Sequence, residues 1–284
     1  MAWGLAQELA SVDNRDSLVG NPTVNKKGEV LMELKNKVIV VTGAGRGIGR
    51  GLATFLAGKG ANIAVVDLNE DDIATTVQLC KDAGVNARGY KANVAQEADV
   101  EKLFSDVAAD FGSLHGLINN AGITRDGLLV KFVDGKLDKK MSLQQWQAVI
   151  DVNLTGVFLC GREAAAKMIE LGVEEGVIIN ISSVARYGSF GQSNYAAAKA
   201  AVATLAETWA KELARYNIRT GAIAPGTINT DMIAAMKPEA RERLAQAVPL
   251  KRIGETKNIA QAAAFIFEND YFTGRCIDTD GGLR

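Results

Sequence analysis

A chain of 284 residues, 48% hydrophobic and 23% charged, can bury one large α/β core without dividing into two domains. Its 32 Lys and Arg against 33 Asp and Glu leave a net charge of −1, which offers no electrostatic basis for binding nucleic acid. A single histidine, His115, argues against a histidine-based triad or a multi-histidine metal site. Three widely spaced cysteines, Cys80, Cys160 and Cys276, form neither a disulfide framework nor a CxxC metal pattern, and are expected to be reduced and buried.

Residues 1–31 are of mixed polar composition and precede Met32-Glu-Leu-Lys-Asn-Lys, which resembles a natural start leading into a strand. They are expected to form a poorly ordered extension, followed by a single Rossmann-type domain over 32–284. The N-terminus lacks a basic segment followed by an apolar core, and no apolar run approaches the length of a membrane span, so a cytoplasmic location is expected.

Val38-Ile-Val-Val41 is β-branched and bounded by glycine, the pattern of a fully buried parallel strand. Thr42-Gly-Ala-Gly-Arg-Gly-Ile-Gly49 follows it, and helical spacing resumes at Leu52. Glycines at 43, 47 and 49 suit a tight turn, close approach of a pyrophosphate and packing of helix on strand, with free N–H groups at the helix start. Gly43, Arg46, Gly47, Ile48 and Gly49 are therefore candidate dinucleotide contacts. The next strand, Asn62-Ile-Ala-Val-Val66, ends in Asp67, about 20 residues beyond the loop, where a carboxylate can accept hydrogen bonds from ribose hydroxyls and repel a 2′-phosphate. Arg46 opposes that preference because it could pair with such a phosphate. NAD(H) is favoured, with NADP(H) as the alternative.

Further strands are predicted near 86–91, 115–119, 176–182, 218–224 and 275–279, separated mostly by amphipathic stretches. Such alternation predicts a doubly wound parallel sheet of about seven strands with helices on both faces, and a ligand crevice along the carboxyl ends of those strands. His115, at a strand start, is expected to serve a polar strand-end role. Val133-Asp-Gly-Lys136 predicts a hairpin turn within an insertion between Ile123 and Ser142, which would either wall a substrate pocket or lie on the surface as a solvated ribbon.

Tyr195-Ala-Ala-Ala-Lys199 places a phenol and an ammonium on one helix face. A neighbouring positive charge is expected to lower the tyrosine pKa and suit it to proton exchange with a carbonyl or alcohol oxygen. Ile181-Ser-Ser183 offers two hydroxyls. The strand end selects Ser183, whereas counting back from tyrosine selects Ser182; Ser183 is preferred because a strand holds its register more firmly than a loop. Its hydroxyl would hydrogen-bond the substrate oxygen as negative charge develops there.

With those residues in view, the chain from about 37 onward resembles the short-chain dehydrogenase/reductase family, and in particular its 3-oxoacyl-acyl-carrier-protein reductase-like branch. The likeness rests on Thr42-Gly-x3-Gly-Ile-Gly49, Asn119-Asn-Ala-Gly122, Asn153 within Asp-Val-Asn-Leu-Thr-Gly156, Ile181-Ser-Ser183, Tyr195-x3-Lys199, Pro225-Gly226 with Thr230, and Asp280-Gly-Gly282. It implies that Lys199 also binds the nicotinamide ribose, and that Asn153 holds a water linking lysine to solvent. Asn119, Asn120, Ala121 and Gly122 would pack against adenosine, while Pro225, Gly226, Ile228 and Thr230 would hold the nicotinamide carboxamide. Asn93, before Val94, departs from the more usual aspartate at the adenine, yet its side-chain carbonyl can still accept a hydrogen bond.

The resemblance implies an oxidoreductase interconverting a secondary alcohol and a ketone, above all a 3-hydroxyacyl/3-oxoacyl thioester pair. The alternatives are a dehydrogenase of a sugar alcohol, steroid or other small alcohol, and, remotely, a non-catalytic NAD-binding regulator. Glu174-Glu175 and Tyr216 stand where a carrier-protein reductase would present basic residues, which makes acyl carrier protein a doubtful partner and favours a coenzyme A thioester or small hydroxy compound. Relatives are commonly tetramers built through helices matching 142–170 and 193–216, so a homotetramer is expected.

Overall fold

β1 (Val38–Thr42) is buried along its whole length, because neighbouring strands cover its edges and helices cover both faces. In this computed structural model, which describes residues 32–284, the chain continues through α1 (Gly47–Gly58), β2 (Asn62–Asp67), α2 (Glu70–Asp82), β3 (Ala87–Lys91), α3 (Glu97–Phe111) and β4 (Gly116–Asn119). The expectation of a poorly ordered extension over 1–31 lies outside the described residues.

A hairpin, β5 (Val130–Val133) and β6 (Lys136–Lys140), precedes α4 (Leu143–Ile150), α5 (Gly156–Glu170), β7 (Gly176–Ile181), α6 (Ser193–Leu213) and β8 (Ile218–Pro225). The chain closes with β9 (Ile228–Asn229), α7 (Asp231–Ala234), α8 (Pro238–Ala247), β10 (Gly254–Glu255), α9 (Thr256–Glu268) and β11 (Arg275–Thr279). Seven strands form one parallel sheet in the order β11-β8-β7-β4-β1-β2-β3, the doubly wound architecture that the alternation predicts.

Alternating side chains of β1 feed two cores. Ile39 and Val41 join Leu52 and Leu56 of α1 and Phe267 of α9, whereas Val38 and Val40 join Phe104 of α3, Cys160 and Met168 of α5, and Ile178. Residues 32–284 pack as one compact unit.

The chain leaves β1 toward β2 and β3 on one side, then returns to place β4 on the other. The carboxyl ends of β1 and β4 therefore flank the topological switch point, where the strand order opens a crevice. Hydrogen bonds tie that point together. The Thr42 Oγ1 accepts from the N–H groups of Asn120 and Ala121 at 3.0 and 3.1 Å, and Asn120 Nδ2 donates to the carbonyls of Thr42 and Gly43 at 2.9 and 3.0 Å. A buried amide relay reaches the next layer: Asn119 Nδ2 donates to Asn180 Oδ1 at 3.0 Å, and Asn180 Nδ2 donates to the Val202 carbonyl on α6 at 3.1 Å.

Asp134 and Gly135 at the hairpin turn have φ of 50° and 74°, the left-handed pair that a two-residue turn between antiparallel strands requires. Both strands of the hairpin are exposed throughout. Cys80 and Cys160 are buried and Cys276 is half-buried, all three as free thiols.

His115 receives the Val38 N–H on Nδ1 at 3.1 Å, tying the chain before β4 to the start of β1. Burial, with Lys37 nearby, lowers its pKa from 6.5 to about 4. Between those values the unfolded chain binds the proton and the folded chain does not, so stability falls as pH drops through that window. His115→Asn keeps an acceptor for Val38 but cannot titrate. Urea unfolding at pH 7 and pH 4.5 should show the wild type losing about 2 kcal/mol more than the variant; equal losses would show that His115 carries none of the acid sensitivity.

Candidate active site

The loop between β1 and α1 is shaped by what its glycines lack. Gly43 has φ of 62°, and a Cβ there would meet the Ala121 Cα at 2.8 Å; a Cβ on Gly49 would strike the Gly43 carbonyl. Arg46 precedes α1 without any side-chain cap, leaving the first-turn N–H groups free of a capping side chain. This cradle borders a cleft of about 950 Å³ that runs along the carboxyl ends of the sheet strands. A glycine loop with no Cβ and an uncapped helix start fit a pyrophosphate.

Gly43, Arg46, Ile48, Gly49, Asp67, Asn93, Val94, Asn120, Ala121, Gly122, Ser183, Tyr195, Gly226, Ile228 and Thr230 all line this cleft. Gly47 lies instead on a smaller hollow behind the loop, shared with Thr230 and Arg50. Pro225 is buried at the end of β8 outside the lining, and a Cβ on Gly226 would meet the Asp280 Cα at 2.7 Å, so the 225–226 turn packs on the Asp280-Gly-Gly282 segment. Asn153 and Lys199 lie just beneath the cleft wall, 0% and 3% exposed.

Asp67 presents its carboxylate to the cleft while both oxygens accept backbone N–H groups: Leu68 at 2.7 Å on Oδ1 and Gly45 at 2.8 Å on Oδ2. An ionised carboxylate has about four acceptor positions, so capacity for ribose hydroxyls remains. Asn93 Oδ1 accepts the Ala95 N–H at 3.1 Å and likewise keeps one lone pair.

The two serines separate cleanly. Ser182 is 2% exposed, and its hydroxyl donates to the Lys199 carbonyl at 2.6 Å. Ser183 faces the cleft beside Tyr195, and its hydroxyl accepts the Ala185 N–H at 3.1 Å. Of the two hydroxyls, the one at the strand end lines the cleft and the other is used inside the fold.

Lys199 Nζ lies 5.6 Å from the Tyr195 ring centroid and donates to the Ile181 carbonyl at 2.6 Å. Here the expected electrostatics need correction. Burial pushes the Tyr195 phenol up, with nearby Ser183 pulling it back and Asp126 pushing it further up. The same burial lowers Lys199 to about 8, so the ammonium loses part of its charge near neutral pH and does not dominate its neighbour.

Asn153 sits in a π-helical turn, Asp151–Thr155, that joins α4 to α5. Its amide clamps one residue, accepting the Ile123 N–H at 2.8 Å and donating to the Ile123 carbonyl at 3.0 Å. A Cβ on Gly122 would lie 3.5 Å from Asn153 Oδ1 and 3.6 Å from Lys199 Nζ, so the two groups flank one point of the cleft wall.

Two structural asparagines escaped the sequence reading. Asn180 interrupts the apolar run of β7, and that interruption was the available signal. Asn194 is fully buried at the start of α6 and donates to the carbonyls of Arg125 and Gln145, pinning the helix that carries Tyr195; nothing in its local sequence marks this role. The hairpin strands are exposed on the surface, while the insertion reaches the cleft rim where Gly127 pairs with Gln192.

Residues 37–241 match the family model described as short chain dehydrogenase. The chain belongs to the short-chain dehydrogenase family, oxidoreductases that employ a nicotinamide cofactor. It is similar to the 3-oxoacyl-[acyl-carrier-protein] reductase FabG of Staphylococcus epidermidis, 40% identical over 252 residues, which cover 87% of this chain and 99% of that protein. The same-named proteins of Staphylococcus aureus and Thermotoga maritima are 41% and 38% identical, over 87% and 89% of this chain and 98% and 99% of their own lengths.

Ser183→Ala should lower turnover by about 10²- to 10³-fold with little change in melting temperature. Ser182→Ala should leave rates within a few-fold while destabilising the fold by about 1–2 kcal/mol. Steady-state rates and thermal unfolding of both variants check this, and the reverse pattern would transfer the role to Ser182.

Proposed function

We propose that this protein interconverts 3-oxoacyl and 3-hydroxyacyl thioesters with NAD(H) as its preferred cofactor. The observation that carries the reading is the convergence of Ser183, Tyr195 and Lys199 beside Gly122, at the crevice where β1 and β4 part.

When bound, the nicotinamide donates or accepts the hydride at the substrate carbon. Tyr195 exchanges the proton of the substrate oxygen, and the Ser183 hydroxyl donates a hydrogen bond to that oxygen as charge builds on it. Burial keeps the Tyr195 phenol protonated, so its proton is present for a carbonyl oxygen in the direction of reduction, while the raised pKa leaves the positive charge of Lys199 to assist its release. Lys199 grips the ribose hydroxyls and supports the ionised phenol once its proton has left. Asn153, clamped on Ile123 within hydrogen-bonding range of the same wall, completes the proton route between lysine and solvent.

Gly43, Ile48, Gly49 and Arg46, with Gly47 behind them, would hold the pyrophosphate side, Asn93, Val94, Asn120, Ala121 and Gly122 the adenosine side, and Gly226, Ile228 and Thr230, with Pro225 behind them, the carboxamide. Asp67, anchored at the end of β2, supports NAD(H) over NADP(H), since its charge would oppose a 2′-phosphate. Toward the substrate end the lining turns apolar through Val184, Ile233, Met236 and Leu244, with Gln192 and Ser189 beside them, which suits an acyl chain.

Coenzyme A thioesters are favoured over carrier-linked ones, because Glu174, Glu175 and Tyr216 stand at positions where the resemblance would place basic residues for an acidic carrier, although the relatives are named for the carrier-linked substrate. Assembly as a homotetramer in the cytoplasm belongs to the same proposal: Phe158, Ile169 and Leu171 of the α5 region leave apolar surface exposed, and light scattering of a monomer mass would remove it.

Initial rates with acetoacetyl-CoA and equal NADH or NADPH test cofactor and substrate together. NADH oxidation should exceed NADPH oxidation, and Tyr195→Phe should lower it by about 10³-fold while NADH affinity stays within about twofold. Failure to oxidise either cofactor, with NADH binding demonstrated, would transfer the assignment to a small-alcohol dehydrogenase.

A further inference from the structure

Gly45 is buried in the dinucleotide loop, and it is not among the glycines with positive φ. Its backbone would accept any residue, so the reason for glycine lies in its surroundings. A Cβ there would fall 2.8 Å from Asp67 Oδ2, 2.9 Å from Asp67 Cγ and 2.8 Å from the Asp72 Cβ, closer than real Cβ atoms approach.

The Gly45 peptide is held from both sides. Its N–H donates to Asp67 Oδ2 at 2.8 Å. Its carbonyl accepts the Arg50 guanidinium and, at 3.3 Å, the hydroxyl of fully buried Thr76, which also donates to the Ala44 carbonyl at 3.0 Å. Arg50 is fixed in turn by Thr76 Oγ1 at 3.1 Å and Asp72 at 3.3 Å. With the loop peptide locked by Arg50 and Thr76, a side chain at position 45 would displace the Asp67 carboxylate rather than the loop.

We propose that Gly45 is a cofactor-selectivity residue that acts by seating the Asp67 carboxylate at the adenosine ribose, so that selection for NAD(H) belongs to the Gly45–Asp67 pair and not to Asp67 alone. The proposal rests on the NAD(H) preference put forward above. Arg46, exposed beside the cleft, is the cation left to meet a 2′-phosphate once the carboxylate is unseated.

The test is a double-mutant cycle read as equilibrium binding, without turnover. Dissociation constants of NADH and NADPH are measured by calorimetry for the wild type, Gly45→Ala, Asp67→Ala and the double variant, with melting temperatures alongside. The wild type should bind NADH more tightly. Gly45→Ala should lower the NADPH-to-NADH ratio of dissociation constants by about tenfold, the scale of one charge-assisted hydrogen bond. In the Asp67→Ala background, which removes the contacts to the carboxylate and leaves the one to the Asp72 Cβ, the same change should move the ratio less than about twofold.

Because the double variant relieves the Asp67 part of the collision and not the Asp72 Cβ part, Gly45→Ala should cost less melting temperature in the Asp67→Ala background than in the wild type; an equal cost in both would contradict the pairing. An unchanged ratio in Gly45→Ala, or an equal shift in both backgrounds, would overturn the proposal while leaving NAD(H) preference standing. A wild type that binds NADPH more tightly would overturn both.

Discussion

The crossing of hydrogen bonds between Thr42 and Asn120 is the constraint on which the site depends. A parallel sheet that winds both ways must part its two loops at one place, and a gap there would expose unpaired backbone at the centre of the molecule. Thr42 and Asn120 close the floor of that gap and leave its upper part as a cleft. From Asn119 the buried relay through Asn180 to Val202 ties the sheet to α6, so the helix bearing Tyr195 and Lys199 is held by the sheet as well as by the Asn194 contacts at its start. Amides in such a relay have no water to fall back on, which fixes one arrangement against alternatives.

Burial sets the chemistry of the site as firmly as it sets its geometry. Lys199 is buried and Tyr195 is half-buried at the cleft wall, and desolvation disfavours the charge of each: the phenol is pushed up and the ammonium down to about 8. Asn153 contributes through a break in helical regularity, since the π turn that rotates it toward Ile123 lies in the middle of an otherwise continuous helical segment.

The elements that bury whole faces were legible in the sequence. β1, β7 and β8 are runs of β-branched or small apolar residues, and the structure places each within a residue or so of its predicted ends. The hairpin turn at Asp134-Gly135 was legible because its backbone demands those residues. The π turn was not, because helical spacing continues through Asp151–Thr155 without a breaking residue. Nor was the rise in the tyrosine pKa, since the spacing of Tyr195 and Lys199 reports their proximity but not the depth at which they lie. The choice between Ser182 and Ser183 could be argued from strand register, but only the side-chain directions separate a core hydroxyl from one in the cleft.

Direct transfer of hydrogen between a nicotinamide and the substrate carbon, with the oxygen proton handled separately by Tyr195, is the central claim. Reaction of acetoacetyl-CoA with each C4-deuterated epimer of NADH in ordinary water, followed by mass spectrometry of the product, tests it most directly. One epimer should place a single non-exchangeable deuterium on C3 of the 3-hydroxyacyl product and the other none. Product without deuterium from either epimer, or label that exchanges with solvent, would contradict it.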